Sequence, residues 1–289
     1  MYVQINRDLR NQLQTNTIAH VVMGSAAYGL DGPQSDIDML YLYFDPFYAE
    51  TFCWERNGWQ FKNGDVDENY QEIRHYIQNL IVGESPADYE SLKAGFTCTC
   101  MADIELKLLF DILSSNVSTY ALIKSYIGYV KKDWNRLCRI PDAYVNSYDA
   151  RKAVSHIIRG MSTIKHLRSG SSYQYTPDKS DHGSDWDRCN QILRGNHPYT
   201  NRELIDMANE GYLTSVEIRN ALIDELNRGE IARRISIDVM KRIDERLATV
   251  VRALDADQRY HGRRIDYGDI RYAIANSGVT YQYENKNAG

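Results

Sequence analysis

The 289-residue sequence predicts an α+β fold: a small sheet with flanking helices over about residues 1–95, then a mostly helical domain over 96–289. Three observations carry that prediction. Ile18 to Met23 and Ile37 to Phe44 are apolar runs of strand length, each bounded by turn residues. From about residue 96 the composition turns helical. Asp149 to Leu167 and Ser215 to Leu254 then repeat apolar residues at the three- and four-residue spacing of an amphipathic helix.

In chain order, residues 4–16 place Ile5, Leu9 and Leu13 four apart, which predicts a short amphipathic helix leading into the first strand. Gly24-Ser25 breaks that strand and starts a helical turn. Gly32-Pro33 forces a loop before the second strand, which Asp45-Pro46 ends. Thr51 to Trp54 and Trp59 to Phe61 flank Asn57-Gly58, a hairpin signal. After Gly64-Asp65-Val66-Asp67, residues from Glu68 onward are expected to turn helical, with Tyr70, Ile73, Ile77, Leu80 and Ile81 on one face up to Gly83. Helices are expected over Ile104–Leu113, Tyr120–Leu137, Asp149–Leu167 and Asn201–Asn209, and one or two over Ser215–Leu254. Residues 168–200, rich in Ser, Gly, Asp and His, read as a long loop or insertion. Lys165, Arg168, Lys179, His182, Trp186, Arg188 and Arg194 give that stretch a basic and aromatic character, as an acceptor-binding flap or a surface insertion without a role. The tail after Asn276 is polar and expected to fray.

The bulk numbers exclude some classes. Hydrophobic content of 43% and charged content of 25% are those of a globular protein with a real core. A net charge of −5 means the whole chain does not attract nucleic acid, though a local basic patch is compatible with it. Cys53, Cys98, Cys100, Cys138 and Cys189 are scattered, odd in number and without zinc spacing, as expected of reduced structural thiols in a cytosol. No apolar run approaches the roughly 20 residues needed to span a bilayer, and no signal pattern opens the chain. Twenty-two tyrosines against six phenylalanines suggest half-buried rings with polar tips.

One stretch concentrates the chemistry. Asp36 and Asp38 open the second strand two residues apart, so alternation puts both carboxylates on one face, with Ile37 on the other. Paired carboxylates repel, and a divalent cation is the commonest reason to keep them. Mg²⁺ takes one or two carboxylates and completes its shell with water and substrate phosphates. The Gly24-Ser25 turn upstream supplies N–H groups and a hydroxyl for those phosphates. The stretch reads as a site for a metal–nucleoside triphosphate. A third acid would come from the next region, where Asp65 and Asp67 are both candidates on one face. An Asp before a new helix is also a common N-cap.

Gly24-Ser25-x-x-Tyr28-Gly29-Leu30 followed by Ser35-Asp36-x-Asp38 resembles the DNA polymerase β-like nucleotidyltransferase superfamily. It looks most like the predicted nucleotidyltransferases associated with RNA ligases, common in phages and bacteria. Relatives carry an Asp five residues before a Glu-Leu-like pair, as Asp67 stands before Glu72-Ile73, so the resemblance selects Asp67 over Asp65. A second block agrees outside the motif, Gly83-Glu84-Ser85-Pro86 followed by Ala87-Asp88-Tyr89-Glu90-Ser91-Leu92. A Lys-x-x-x-His-x-x-Arg pattern in a later helix matches Lys152, His156 and Arg159, at i, i+4 and i+7 on one face. Taken alone, such a stripe is more often a solvated polar face. The agreement spans about residues 18–170, and the 168–200 stretch departs from the compact family pattern.

The resemblance implies a polymerase β-like mixed sheet and transfer of a nucleoside monophosphate from an NTP to an acceptor hydroxyl. It implies Mg²⁺ (or Mn²⁺) held by Asp36, Asp38 and Asp67, with Asp67 also a possible base. Gly24, Ser25, Tyr28, Ser35, Lys152, His156 and Arg159 would bind the nucleotide. The association with RNA ligases points to an RNA end, such as that of a tRNA, as acceptor, in the cytosol of a bacterium or a phage-infected host. Protein or small-molecule nucleotidylation and a non-catalytic nucleotide-binding, antitoxin-like module are the alternatives. His20 reads as a core or edge histidine, His75 as exposed on its helix, and Glu72 and Glu90 as either buried structural carboxylates or catalytic parts.

Overall fold

In the computed structural model, residues 2–27, 36–46, 58–83, 85–141, 144–170, 183–232, 234–257 and 265 are described. Helix α1 (Tyr2–Thr15) leads into β1 (Thr17–Met23), and a single turn, α2 (Gly24–Ala27), follows. Strand β2 (Ile37–Tyr43) pairs antiparallel with β1. Strands β3 (Trp59–Asn63) and β4 (Val66–Glu72) form a hairpin across Gly64-Asp65, and β4 lies parallel to β2. After helices α3 (Ile73–Val82) and α4 (Pro86–Ala94), the short β5 (Thr97–Cys98) closes the other side against β1. The result is a five-stranded mixed sheet in the order β3-β4-β2-β1-β5. Helices α5 (Asp103–Asn116), α6 (Thr119–Leu137), α7 (Tyr148–Arg168), α8 (Gly183–Arg194), α9 (Asn201–Asn227) and α10 (Ile237–Ala256) complete an α+β protein with a helical C-terminal part.

The expected apolar runs became β1 and β2 because both faces of the sheet are covered. On one face α1 lays Leu9 and Leu13 against Tyr43 and Tyr70, with Ile265. The other face carries Ile18, Leu40 and Leu42 into a core that continues through α3 and α5–α7 to α10. Helices α6 and α7 pack closely because residue 160 lacks a side chain: a Cβ on Gly160 would stand 2.8 Å from Val130 Cγ2. Helix α9 docks on α6 by stacking Tyr212 on Trp134 (4.0 Å, 8°), whose indole N–H donates to Asn209 at 2.9 Å. The tyrosine excess has a structural reason. Tyr70, Tyr76 and Tyr126 are buried rings whose hydroxyls reach Glu68 (3.1 Å), the Asp88 carbonyl (2.9 Å) and Glu90 (2.9 Å). Cys98, Cys100, Cys138 and Cys189 are free thiols. Among the described residues no helix is long and apolar enough to cross a membrane.

Three expectations change, and one is left partly outside the described residues. Residues from Glu68 to Glu72 are strand, not helix, and α3 starts only at Ile73. Local composition favours a helix start, but ladders to β2 and β3 on both sides hold the segment extended. The Glu72 carboxylate is the N-cap of α3 and accepts from the N–H groups of Arg74 and His75. Burial pushes that carboxyl up to about 7, against the opposing pull of Arg74. His75 is buried, not exposed. Trp59 to Asn63 pairs forward with β4; the first arm of the expected 51–61 hairpin lies outside the described residues. The 168–200 stretch is not all loop: α8 spans Gly183–Arg194 and buries Trp186, Cys189, Ile192 and Leu193. The tail after Asn276 lies outside the described residues.

Buried Glu68 is held by a two-point bond from Arg10 (2.6 and 2.5 Å) on α1. Burial alone would raise its pKa, but the hydrogen bonds and charge of Arg10, with Tyr70, outweigh it and lower the value. A lowered folded pKa means the unfolded chain binds more protons just below the ordinary carboxylate range. This stability is therefore complete above about pH 4.5 and is lost as pH falls through the folded value. Arg10→Met strands a buried carboxylate and is expected to cost about 3–5 kcal/mol at pH 7. Urea midpoints should show that deficit shrinking on acidification, as Glu68 in the variant takes up a proton. A deficit independent of pH would refute the pairing as its source.

Candidate active site

The acids meet at one end of the sheet. Parallel pairing of β2 with β4 sets Asp38 directly beside Asp67. Asp36 precedes β2, and both Asp36 and Asp67 face Lys62 on β3, whose ammonium lies 2.9 Å from Asp36 Oδ2 and 3.8 Å from Asp67 Oδ1. Asp65 sits instead in the β3–β4 turn, its carbonyl accepting the Ile37 N–H at 2.8 Å. Register, which single-strand alternation does not show, thus separates Asp67 from Asp65.

Asp38 sits where its ionised form is disfavoured. Burial raises its pKa first, the neighbouring charges of Asp67 and Asp36 raise it further, and only Lys152 pulls the other way. The Gly24-Ser25 turn stands against it. Gly24 has φ +64, a left-handed conformation costly for any residue with a Cβ, and a Cβ there would lie 2.1 Å from Asp38 Oδ2. The glycine at the end of β1 therefore serves two ends at once: it turns the chain into α2 and leaves room for the carboxylate.

A cavity of about 1200 Å³ opens from this point. Gly24, Ser25 and Asp38 form its acidic end, and Lys152, His156 and Arg159 on α7 line the facing wall. The sequence stripe and the acid motif, more than 110 residues apart, thus share one cavity. The three stripe residues differ in kind. Lys152 has no hydrogen-bond or ion-pair partner among the described residues. Arg159 is buried, donates to the Tyr129 hydroxyl at 2.9 Å and stands 3.9 Å from Glu90. His156 meets buried Asp133 through Nδ1 at 3.1 Å. Burial lowers the His156 pKa against the pull of Asp133, and Arg159 lowers it further. The ring is therefore neutral near pH 7, and the carboxylate, which only accepts, fixes the proton on Nδ1.

Tyr28 and Ser35 lie outside the described residues. His20 lies on β1 inside the sheet, not at an edge: it pairs with Tyr41 on β2 and Thr97 on β5, and its ring stands 6.0 Å from that of Tyr41. Glu72 caps α3, and Glu90, which lines the cavity, accepts from the Tyr126 hydroxyl and stands 3.9 Å from Arg159. Sequence reasoning missed Lys62, for which no local signal exists. It also missed Glu90 and Asp133 as partners of the α7 stripe. Lys131, Lys132 and Arg136 on α6, and Arg139 just past its end, line the same cavity; the three on the helix carried a visible signal in their spacing.

Among the described residues no three His, Cys, Asp or Glu side chains converge as a metal-holding group. The donor set nevertheless fits a hard divalent cation: Asp36, Asp38 and Asp67 offer only carboxylate oxygens. Lys62 shows that the space between Asp36 and Asp67 already favours positive charge.

No curated protein matches the chain. A crystal structure of a nucleotidyltransferase-like protein from Exiguobacterium sibiricum 255-15 is similar over 95% of this chain and 90% of that one, at 15% identity and a TM-score of 0.35. The family model RlaP, described as the RNA repair pathway DNA polymerase beta family, matches residues 2–193, a span from α1 through α8 that contains the acids, the Gly24-Ser25 turn and the α7 stripe. The chain therefore belongs to the RNA repair pathway DNA polymerase beta family.

Proposed function

We propose that this protein transfers a nucleoside monophosphate from an NTP to the hydroxyl of an RNA end. The observation that carries the reading is the shared cavity, with Asp38 and the Gly24-Ser25 turn at one end and Lys152 on the facing wall. Asp36, Asp38 and Asp67 would hold a divalent cation, Mg²⁺ or Mn²⁺, which when bound supplies charge neutralisation on the phosphate oxygens and acidifies an attacking hydroxyl. The N–H groups after Gly24 and the Ser25 hydroxyl bind phosphate oxygens, and Lys152 neutralises charge that develops as pyrophosphate leaves. Asp67, solvent-accessible beside Asp38, would also take the proton of the attacking hydroxyl. Residues 1–95 supply the acids and 96–289 the cationic wall. The family description, with its RNA repair pathway, supports an RNA acceptor.

The direct test is incubation with each α-labelled NTP, Mg²⁺ or Mn²⁺, and an RNA carrying a free 3′ hydroxyl. Label on the RNA is the expected result. Label on protein or a small molecule would move the acceptor assignment, and no transfer with no metal-dependent NTP binding would refute the enzyme reading. Lys152 offers the cleaner test of the wall, because Arg159 is tied to Glu90 and Tyr129 and its loss would disturb the fold. Lys152→Ala is expected to weaken NTP binding about tenfold, the roughly 1.4 kcal/mol of one charge-assisted contact, with an unchanged melting temperature. Unchanged affinity would return Lys152 to a solvated surface role.

A further inference from the structure

The geometry points to a second site in the same cavity: a track for the phosphodiester backbone of the acceptor RNA along α6, formed by Lys131, Lys132, Arg136 and Arg139. The inference rests on the RNA reading above and adds where the strand lies.

Volume is the first observation. At about 1200 Å³ the cavity exceeds the roughly 300–1,000 Å³ that usually holds one drug-sized ligand. An NTP against Gly24, Ser25 and Lys152 leaves space on the α6 side. Charge is the second. Six Lys and Arg side chains and two carboxylates line the cavity, in a chain whose net charge is −5. Four of the six belong to this one wall, beyond the stripe on α7. Their pairing is the third. Among the described residues Lys131, Lys132 and Arg139 have no side-chain partner, and Arg136 has only the exposed Asp149 at 2.7 Å. Lys132 and Arg136 are four apart on one helix, where like charges repel. The C-terminal dipole of α6 accounts for Arg136 and Arg139, near its end, and not for the lysines a turn earlier.

Spacing suits a strand rather than a single anion. Lys131 to Arg136 spans about 8 Å of helix axis at 1.5 Å per residue, with Arg139 just beyond the cap. That length serves more than one phosphate. Tyr148, at the start of α7, lines the same cavity and offers a ring for stacking a base. Cations along a groove beside an aromatic ring are the common apparatus for holding single-stranded nucleic acid without reading its sequence.

The test uses the full chain and a fluorescein-labelled single-stranded RNA with a free 3′ hydroxyl, with affinity measured by polarisation from low to moderate salt. Lys131→Ala/Lys132→Ala is expected to weaken RNA binding about tenfold at about 0.1 M salt. It should also flatten the salt slope by about 1.4, two phosphates at about 0.7 each. Lys124→Ala, on the same helix but outside the cavity, should change neither, and metal-dependent NTP binding should stay at the wild-type level in both variants. If the wild-type protein labels RNA and the double variant binds it with the same affinity and slope, the α6 track is wrong and the RNA reading stands. If the wild-type protein neither binds RNA nor labels it, and labels a protein instead, the RNA reading fails and the track with it.

Discussion

Asp38→Asn should abolish nucleotidyl transfer without unfolding the protein. The substitution keeps the shape of the side chain and removes the charge that the acid group needs. A loss of about 10³-fold or more is expected, equivalent to about 4 kcal/mol of transition-state stabilisation. Stability should move the other way. Burial and the charges of Asp67 and Asp36 all disfavour the ionised Asp38, so its charge is held at a cost to the fold. A neutral isostere relieves that cost, and the melting temperature of Asp38→Asn is expected to match or exceed that of the wild type. Opposite signs for activity and stability mark a residue kept for chemistry. Transfer within tenfold of wild type, or a clear fall in melting temperature, would refute the assignment.

Gly24→Ala should be the most damaging change outside the acids. The new Cβ would sit in a left-handed backbone, at a cost of about 1–3 kcal/mol, and would overlap Asp38 Oδ2 at 2.1 Å. The clash is with the far end of a side chain, so the carboxylate will rotate away before the strands part. The larger effect therefore falls on activity, by about 10² or more, because a misplacement near 1 Å is enough for that loss. Transfer rates and urea midpoints measured on one preparation separate the two effects. Ser25→Ala, which adds no atom and strains no backbone, should cost far less. Equal losses in the two variants would mean that the hydroxyl matters and the spacing does not.

The local pattern was enough for β1 and β2, whose apolar runs are short and bounded by turns. It was also enough for α6 and α7, whose apolar stripes run over several turns. The acid pair and the Gly-Ser turn were legible because the chemistry needs particular residue types a few positions apart. β4 was not legible. Its Val-Asp-Glu-Asn-Tyr-Gln-Glu sequence reads as polar and helix-prone, and it is a strand because Arg10, 58 residues away, holds Glu68, and because β2 and β3 pair with it on both sides. α8 was hidden by its Ser- and Asp-rich neighbours, although Trp186, Cys189 and Leu193 already marked a helical face.

The sequence by itself determined the parts of the site: two acids, a turn, a cationic stripe and a list of candidates for a third acid. Such features are set by neighbours along the chain, and neighbours are what a sequence displays. Only the tertiary structure decided how the parts combine. Strand register placed Asp67, not Asp65, beside Asp38, and helix packing brought Lys152 to face the Gly24-Ser25 turn. It also separated three similar-looking cations into a lysine with no ion-pair partner among the described residues, a neutral histidine and a buried arginine. Charge state and direction depend on burial and on partners from distant elements, and those distances exist only once the chain has folded.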